Sequence, residues 1–154
     1  MQVTPYLDFD GRCEQALNFY RETIGAQVDM LMRFKDMPGP HSAECAMPPN
    51  SENKVMHSSF RIGDTTVMAT DGRCAGKSTF AGFSLSLTVA NEAEADRLFA
   101  RLGEGGKVEM PLSETFFSPR FGMVTDQFGV SWMIYVEPKN VAQSSERQAE
   151  TVAR

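Results

Sequence analysis

Two amphipathic helical stripes stand 79 residues apart in this chain, each at the same place in the same order of elements. In the first, Cys13, Ala16, Leu17, Tyr20 and Ile24 recur at helical spacing, and Gly25 supplies the stop. In the second, Asn91 with Glu94 fits a capping box, Ala95, Leu98, Phe99 and Leu102 repeat the stripe, and Gly103, Gly105 and Gly106 end it. Ala16, Phe19 and Tyr20 fall opposite Ala95, Leu98 and Phe99 at that constant offset. A fixed offset with a repeated element order marks one supersecondary unit used twice.

The flanking segments read as strands. Before the first stripe Val3–Phe9 alternates until Asp10-Gly11 breaks it, and Ala26–Phe34 follows; Lys54–Ile62 and Thr65–Asp71 then pair across Gly63-Asp64. Around the second stripe lie Phe83–Val89, Val108–Leu112, Phe121–Thr125 and Val130–Val136, the last two joined by a tight Asp126–Gly129 turn. Val130–Val136 is apolar on both faces, and alternation sends Trp132 to the same side as Ile134. Each half is therefore βαβββ. The modules run over about 2–71 and 80–137, and together make a single domain, 1–137. Asp71–Ser78 serves as the linker, and residues 35–53, with four prolines, form a long loop that is a candidate lid. Residues 138–154 are polar and cannot bury enough apolar surface to offset their ordering entropy, so a frayed tail is expected.

Composition excludes some partners. A net charge of -5 and a pI near 5.0 argue against a phosphate-binding surface, hence against nucleic acid. The start lacks a basic segment followed by an apolar core, and no apolar run approaches the roughly 20 residues that span a bilayer, so no membrane partner and a cytoplasmic location are expected. Cys13, Cys45 and Cys74 lie too far apart for a disulfide framework or a CxxC motif, and read as buried or idle thiols.

Several stretches, TPYLDFDGRCEQALNFY, KVMHSSFRIGD, ADRLF and GMVTDQFGVSWMI, resemble the PhnB-like branch (3-demethylubiquinone 3-methyltransferase-like domain) of the glyoxalase, bleomycin-resistance and dioxygenase superfamily, also called vicinal oxygen chelate. The resemblance covers Val3–Val136. It implies an α+β fold in which the two βαβββ modules form a cup-shaped mixed sheet with helices outside, and a homodimer in which one subunit closes the other's cups. In the superfamily's metalloenzymes four ligands, typically His or Gln, Glu, His and Glu, come from the first and last strands of each module. Matched to this chain, those positions fall near Thr4, Ala69, Phe83 and Ile134, and a shift of one residue restores no His and carboxylate set. No metal of the usual kind and no cofactor are expected.

Strand parity nominates what lines the cup instead. His57, Ser59 and Arg61 share the more polar side of their strand, while Met56, Ser58, Phe60 and Ile62 share the side placed under the helix. If Thr4 faces in, so do Tyr6 and Asp8; if Ala69 does, so do Val67 and Asp71. The candidate ligand-binding set is Tyr6, His57, Ser59, Asp71, Phe83 and Trp132, with His57 the candidate catalytic residue. The competing reading makes His57 a hydrogen-bonded core residue, Trp132 and Phe83 packing residues, and Asp71 a turn cap. His41, Glu44 and Cys45 are possible metal ligands in a Pro-rich loop. Three function classes stay open: a metal-independent binder or enzyme for a small molecule, a metalloenzyme with an atypical site built on His57 with Asp8 or Asp71, and a methyltransferase. Against the last, nothing here resembles the glycine-rich strand-to-helix turn that usually holds a methyl-donor nucleotide.

Overall fold

A computed structural model describes residues 1–38, 49–72 and 78–138. The chain divides into two compact units, Met1–Thr79 and Phe80–Arg154. The first runs β1 (Tyr6–Asp8), α1 (Cys13–Ile24), β2 (Gln27–Arg33), β3 (Val55–Ile62) and β4 (Thr65–Thr70), with a 3-10 turn at Phe34–Asp36. The second runs β5 (Leu85–Val89), α2 (Glu92–Gly103), β6 (Lys107–Thr115), β7 (Ser118–Thr125) and β8 (Ser131–Val136). Strand order is β1-β4-β3-β2 in one sheet and β5-β8-β7-β6 in the other. In each the first strand lies parallel to the last, and the remaining pairs are antiparallel. The fold class is α+β, and the repeat is structural: both helix ends are displaced by the same 79 positions, 13 to 92 and 24 to 103.

The helices start and stop for the reasons the sequence implies, with one exception. Gly25 takes the left-handed conformation at φ 69° and closes α1 by donating its N–H to the Tyr20 carbonyl. Asn91 caps α2, its side-chain oxygen accepting from the Glu94 N–H at 2.9 Å. At the other start, Arg12 offers α1 no side-chain cap. The acceptor comes instead from the far end of β4, as described below.

Each helix covers one face of its own sheet. On α1, Cys13, Ala16, Leu17 and Tyr20 are buried, and the Tyr20 ring stacks on Phe60 of β3 with centroids 6.0 Å apart. On α2, Ala95, Leu98 and Leu102 are buried, as are Val124 of β7 and Trp132, Ile134 and Val136 of β8. A Cβ at Gly122 would lie 2.7 Å from the Phe99 ring, so the missing side chain lets α2 approach β7. Each fully buried Leu or Phe of this kind contributes roughly 1.5–3 kcal/mol.

Several strands differ in length from expectation, β7 beginning at Ser118 rather than Phe121 and β5 at Leu85 rather than Phe83. Strand β1 is only Tyr6–Asp8, because Val3 is exposed and has no ladder partner; β6 extends to Thr115 through a succession of register shifts. No helix among the described residues is long and apolar enough to cross a membrane. The Cys45 and Cys74 thiols, the His41, Glu44 and Cys45 trio, most of the candidate lid and the tail beyond 138 lie outside the described residues.

Candidate functional site

The parity expected for β3 holds. Ser58 and Phe60 turn toward α1, with Ser58 Oγ 3.7 Å from Cys13 Sγ, which leaves His57, Ser59 and Arg61 on the face away from the helix. Alternation puts Tyr6 on that same face, opposite buried Leu7. The Tyr6 hydroxyl lies 3.0 Å from His57 Nδ1, and the two rings stack with centroids 5.6 Å apart and planes 26° apart. With the imidazole proton on Nε2 the phenol donates to Nδ1; with it on Nδ1 the imidazole donates to the phenol oxygen. Either way one ring nitrogen is fixed and the other projects from the pair. Register then extends the face: Tyr6 pairs with Met68, Met68 with Ser59 and Ser59 with Met30, one row across all four strands, while Met32 pairs with His57. A half-exposed Tyr-His pair bordered by flexible thioethers is a polar anchor on an adaptable apolar wall.

Asp71 stands elsewhere. Val67 and Ala69 pair with Phe60 and Ser58, so β4 turns them toward α1 and away from the face of His57, and Asp71 beyond them is 1% exposed. Its carboxylate accepts from the Cys13 N–H at 2.6 Å and the Val55 N–H at 2.8 Å. This is the missing cap of α1, supplied from across the unit, where the helix N-terminus favours a negative charge. The turn-cap reading of Asp71 was nearer than the ligand reading. Asp8 stays on the face of Tyr6, but its carboxylate accepts from the Asp10 N–H at 3.0 Å and Ser78 Oγ at 3.3 Å.

In the second unit Trp132 also differs from expectation. Val124 pairs with Trp132 and Gly122 with Ile134, and Gly122 is the position pressed against Phe99, so this is the face covered by α2. Trp132 is 1% exposed and donates its indole N–H to Asp126 at 2.8 Å. Asp126, itself buried, also accepts from the Phe128 and Val130 N–H groups at 2.8 and 3.1 Å. The shared face of Trp132 and Ile134 lines the core because apolar Leu85, Leu87 and Val124 sit beside them in register. Phe83 precedes β5, is 43% exposed and meets Phe80 edge-on at 6.3 Å. The face away from α2 instead carries Phe121 beside Tyr135, with Phe117 packed on both at 5.2 and 6.4 Å, and a methionine row. Sequence reasoning passed over these residues. The signal was present, since a hairpin centred on Asp126–Gly129 must pair Phe121 with Tyr135 and Met123 with Met133.

The positions matched to the superfamily's metal ligands do not fit that role here. Ala69 and Ile134 are fully buried on the helix-covered faces, and among the described residues no three His, Cys, Asp or Glu side chains come together as a metal-holding group. Burial does act on Cys13, where desolvation beneath the helix pushes the thiol up to about 12, making it inert as a nucleophile.

Two βαβββ units, each a mixed four-stranded sheet with one helix, define the glyoxalase-type fold. A structure of a glyoxylase/bleomycin resistance protein/dioxygenase domain from Frankia sp. EAN1pec matches with a TM-score of 0.60 at 15% identity, over 90% of this chain and 98% of that one. Residues 1–135 match the family described as 3-demethylubiquinone-9 3-methyltransferase, and the chain belongs to that family. Its relatives include Protein YjdN of Escherichia coli (strain K12), 35% identical over 147 residues, which are 93% of this chain and 100% of that protein. Protein PA1353 from Pseudomonas aeruginosa is 38% identical with a TM-score of 0.76, over 89% of this chain and 98% of that one.

Proposed function

We propose that this protein binds a small molecule on the face of the first sheet away from α1, with the Tyr6–His57 pair as its polar anchor and no metal of the superfamily's His and Glu type. The observation that carries this reading is the 3.0 Å Tyr6–His57 hydrogen bond between stacked, accessible rings. The outward imidazole nitrogen offers one directed hydrogen bond; Ser59 adds a hydroxyl, and Met30, Met32 and Met68 supply conformable contact.

A thermal-shift screen of small organic compounds tests the reading, because a ligand of the folded state adds RT ln(1 + [L]/Kd) of stability. His57→Asn should weaken a hit roughly tenfold, about 1.4 kcal/mol, and leave the melting temperature of the protein alone unchanged. Unchanged affinity with a lowered melting temperature would make His57 a packing residue.

The family description favours a methyltransferase as the second reading. Titration with S-adenosylmethionine decides between them: saturable binding supports it, and its absence leaves the binder. The family resemblance further supports a homodimer, for which light scattering at micromolar concentration should return twice the 17.1 kDa chain mass. A monomer mass contradicts that part of the proposal.

A further inference from the structure

The same row of both sheets carries methionine. In the first unit it reads Met30, Ser59, Met68, Tyr6 across β2, β3, β4 and β1. In the second it reads Met110, Met123, Met133, Ser86 across β6, β7, β8 and β5. The correspondence includes backbone detail, since a register shift falls between Val28 and Met30 and another between Val108 and Met110. Two differences separate the rows: Ser59 of β3 stands where β7 has Met123, and Tyr6 of β1 where β5 has Ser86. Among the described residues, three thioethers therefore stand side by side on adjacent strands only in the second unit.

We propose that Met110, Met123 and Met133 form a binding site for a soft monovalent cation of the copper(I) class. Directly paired residues on neighbouring strands hold their Cβ atoms about 4.5–5.5 Å apart, so Met110 and Met133 need only lean inward by one strand spacing to surround an ion above Met123. Thioether sulfur is a soft donor that selects copper(I) and its analogue silver(I) over zinc, magnesium or calcium, and an unbranched side chain adapts to the geometry. Met123 and Met133 are half-buried, and Met110 on the edge strand is 44% exposed, so an ion has access. The Phe121–Tyr135 pair lies on one side of the row and the Thr125–Ser131 pair on the other, with Thr125 bonded to Glu109. Neither flank places a cationic side chain in the row itself, and Lys107 beyond it is paired with Glu109 at 3.1 Å. The inference does not depend on the function proposed for the first unit.

Silver(I) is the probe, because it has copper(I) ligand preferences without redox chemistry. Thiols compete for it, so the parent is the Cys45→Ser, Cys74→Ser protein, which keeps only the buried Cys13. Native mass spectrometry should show one equivalent of silver(I) bound, and peptide mapping should show Met110, Met123 and Met133 protected from peroxide oxidation. Met123→Leu conserves volume and should lower silver affinity at least tenfold, whereas Met30→Leu with Met68→Leu should leave it unchanged. If Met123→Leu is misfolded by circular dichroism, Met110→Leu on the exposed edge must show the loss instead. A parent that binds no silver(I), or equal binding by folded Met123→Leu or Met110→Leu, overturns the proposal.

Discussion

The two units share element order, helix length, strand order and even the position of a bulge, yet each is locked by one buried aspartate that does a different job. In the first, Asp71 spans the unit, joining the start of α1 to the start of β3 through the N–H groups of Cys13 and Val55. In the second, α2 has its own cap in Asn91, and Asp126 serves the β7–β8 turn and the indole of Trp132. The difference teaches that periodicity sets the architecture of both copies, while single polar residues decide how each is held. The faces away from the helices diverge in the same manner. One carries a Tyr-His pair and the other an aromatic trio beside three methionines.

Removing each lock sharpens the comparison. Asp126→Ala removes the carboxylate that accepts from the Phe128, Val130 and Trp132 N–H groups, and unfolding in urea should show a loss of roughly 4 kcal/mol, with Trp132 emission red-shifted already in the folded variant. Asp71→Ala removes the acceptor of the Cys13 and Val55 N–H groups, and should cost roughly 3 kcal/mol, with hydrogen exchange accelerated at the first turn of α1. If the two variants open the same amides, the locks are not local and the comparison fails.

A smaller effect concerns alkali. Desolvation raises the Cys13 thiol to about 12, so the folded state holds its proton where the unfolded chain releases it. Stability from this source is whole below about pH 9 and is lost as pH rises from there toward 12. The advantage of the parent over Cys13→Ala should shrink by about 2 kcal/mol by about pH 10.5 in pH-dependent unfolding. A constant gap would contradict the burial argument. The smallest effect belongs to the Glu14–Arg33 pair at 2.8 Å, which ties α1 to β2 and, chiefly through the hydrogen bond from Arg33, holds the Glu14 carboxyl below its usual range. Being largely exposed, it should contribute only about 0.5 kcal/mol, lost on Glu14→Gln, in high salt, or as pH falls below about 4.5. In the second unit Arg120 of β7 reaches Asp96 and Glu92 of α2 at 3.3 and 3.8 Å, and Glu14→Gln should leave those contacts untouched.

Much of this was legible in the residues. The 79-residue offset of Ala16 and Tyr20 from Ala95 and Phe99 carried the repeat, and alternation in β3 carried the correct face for His57 and Ser59. Asp71 and Trp132 were misassigned for a physical reason. Parity says only that two residues share a face, and which face is covered depends on the partner strands, here Ser58 beside Ala69 and Val124 beside Trp132. The Tyr6–His57 contact was beyond reach because it joins residues 51 apart through a parallel pairing that no turn announces.

The account's central claim is that His57, held by Tyr6, presents its other ring nitrogen to a ligand. The most direct measurement is nitrogen NMR of the His57 imidazole in labelled protein titrated with a thermal-shift hit, with Tyr6→Phe as comparison. The account predicts that the Nε2 resonance moves along a saturable curve with the affinity of the thermal shift, and that Tyr6→Phe weakens that affinity. A His57 ring whose nitrogens stay unmoved at ligand saturation would contradict it.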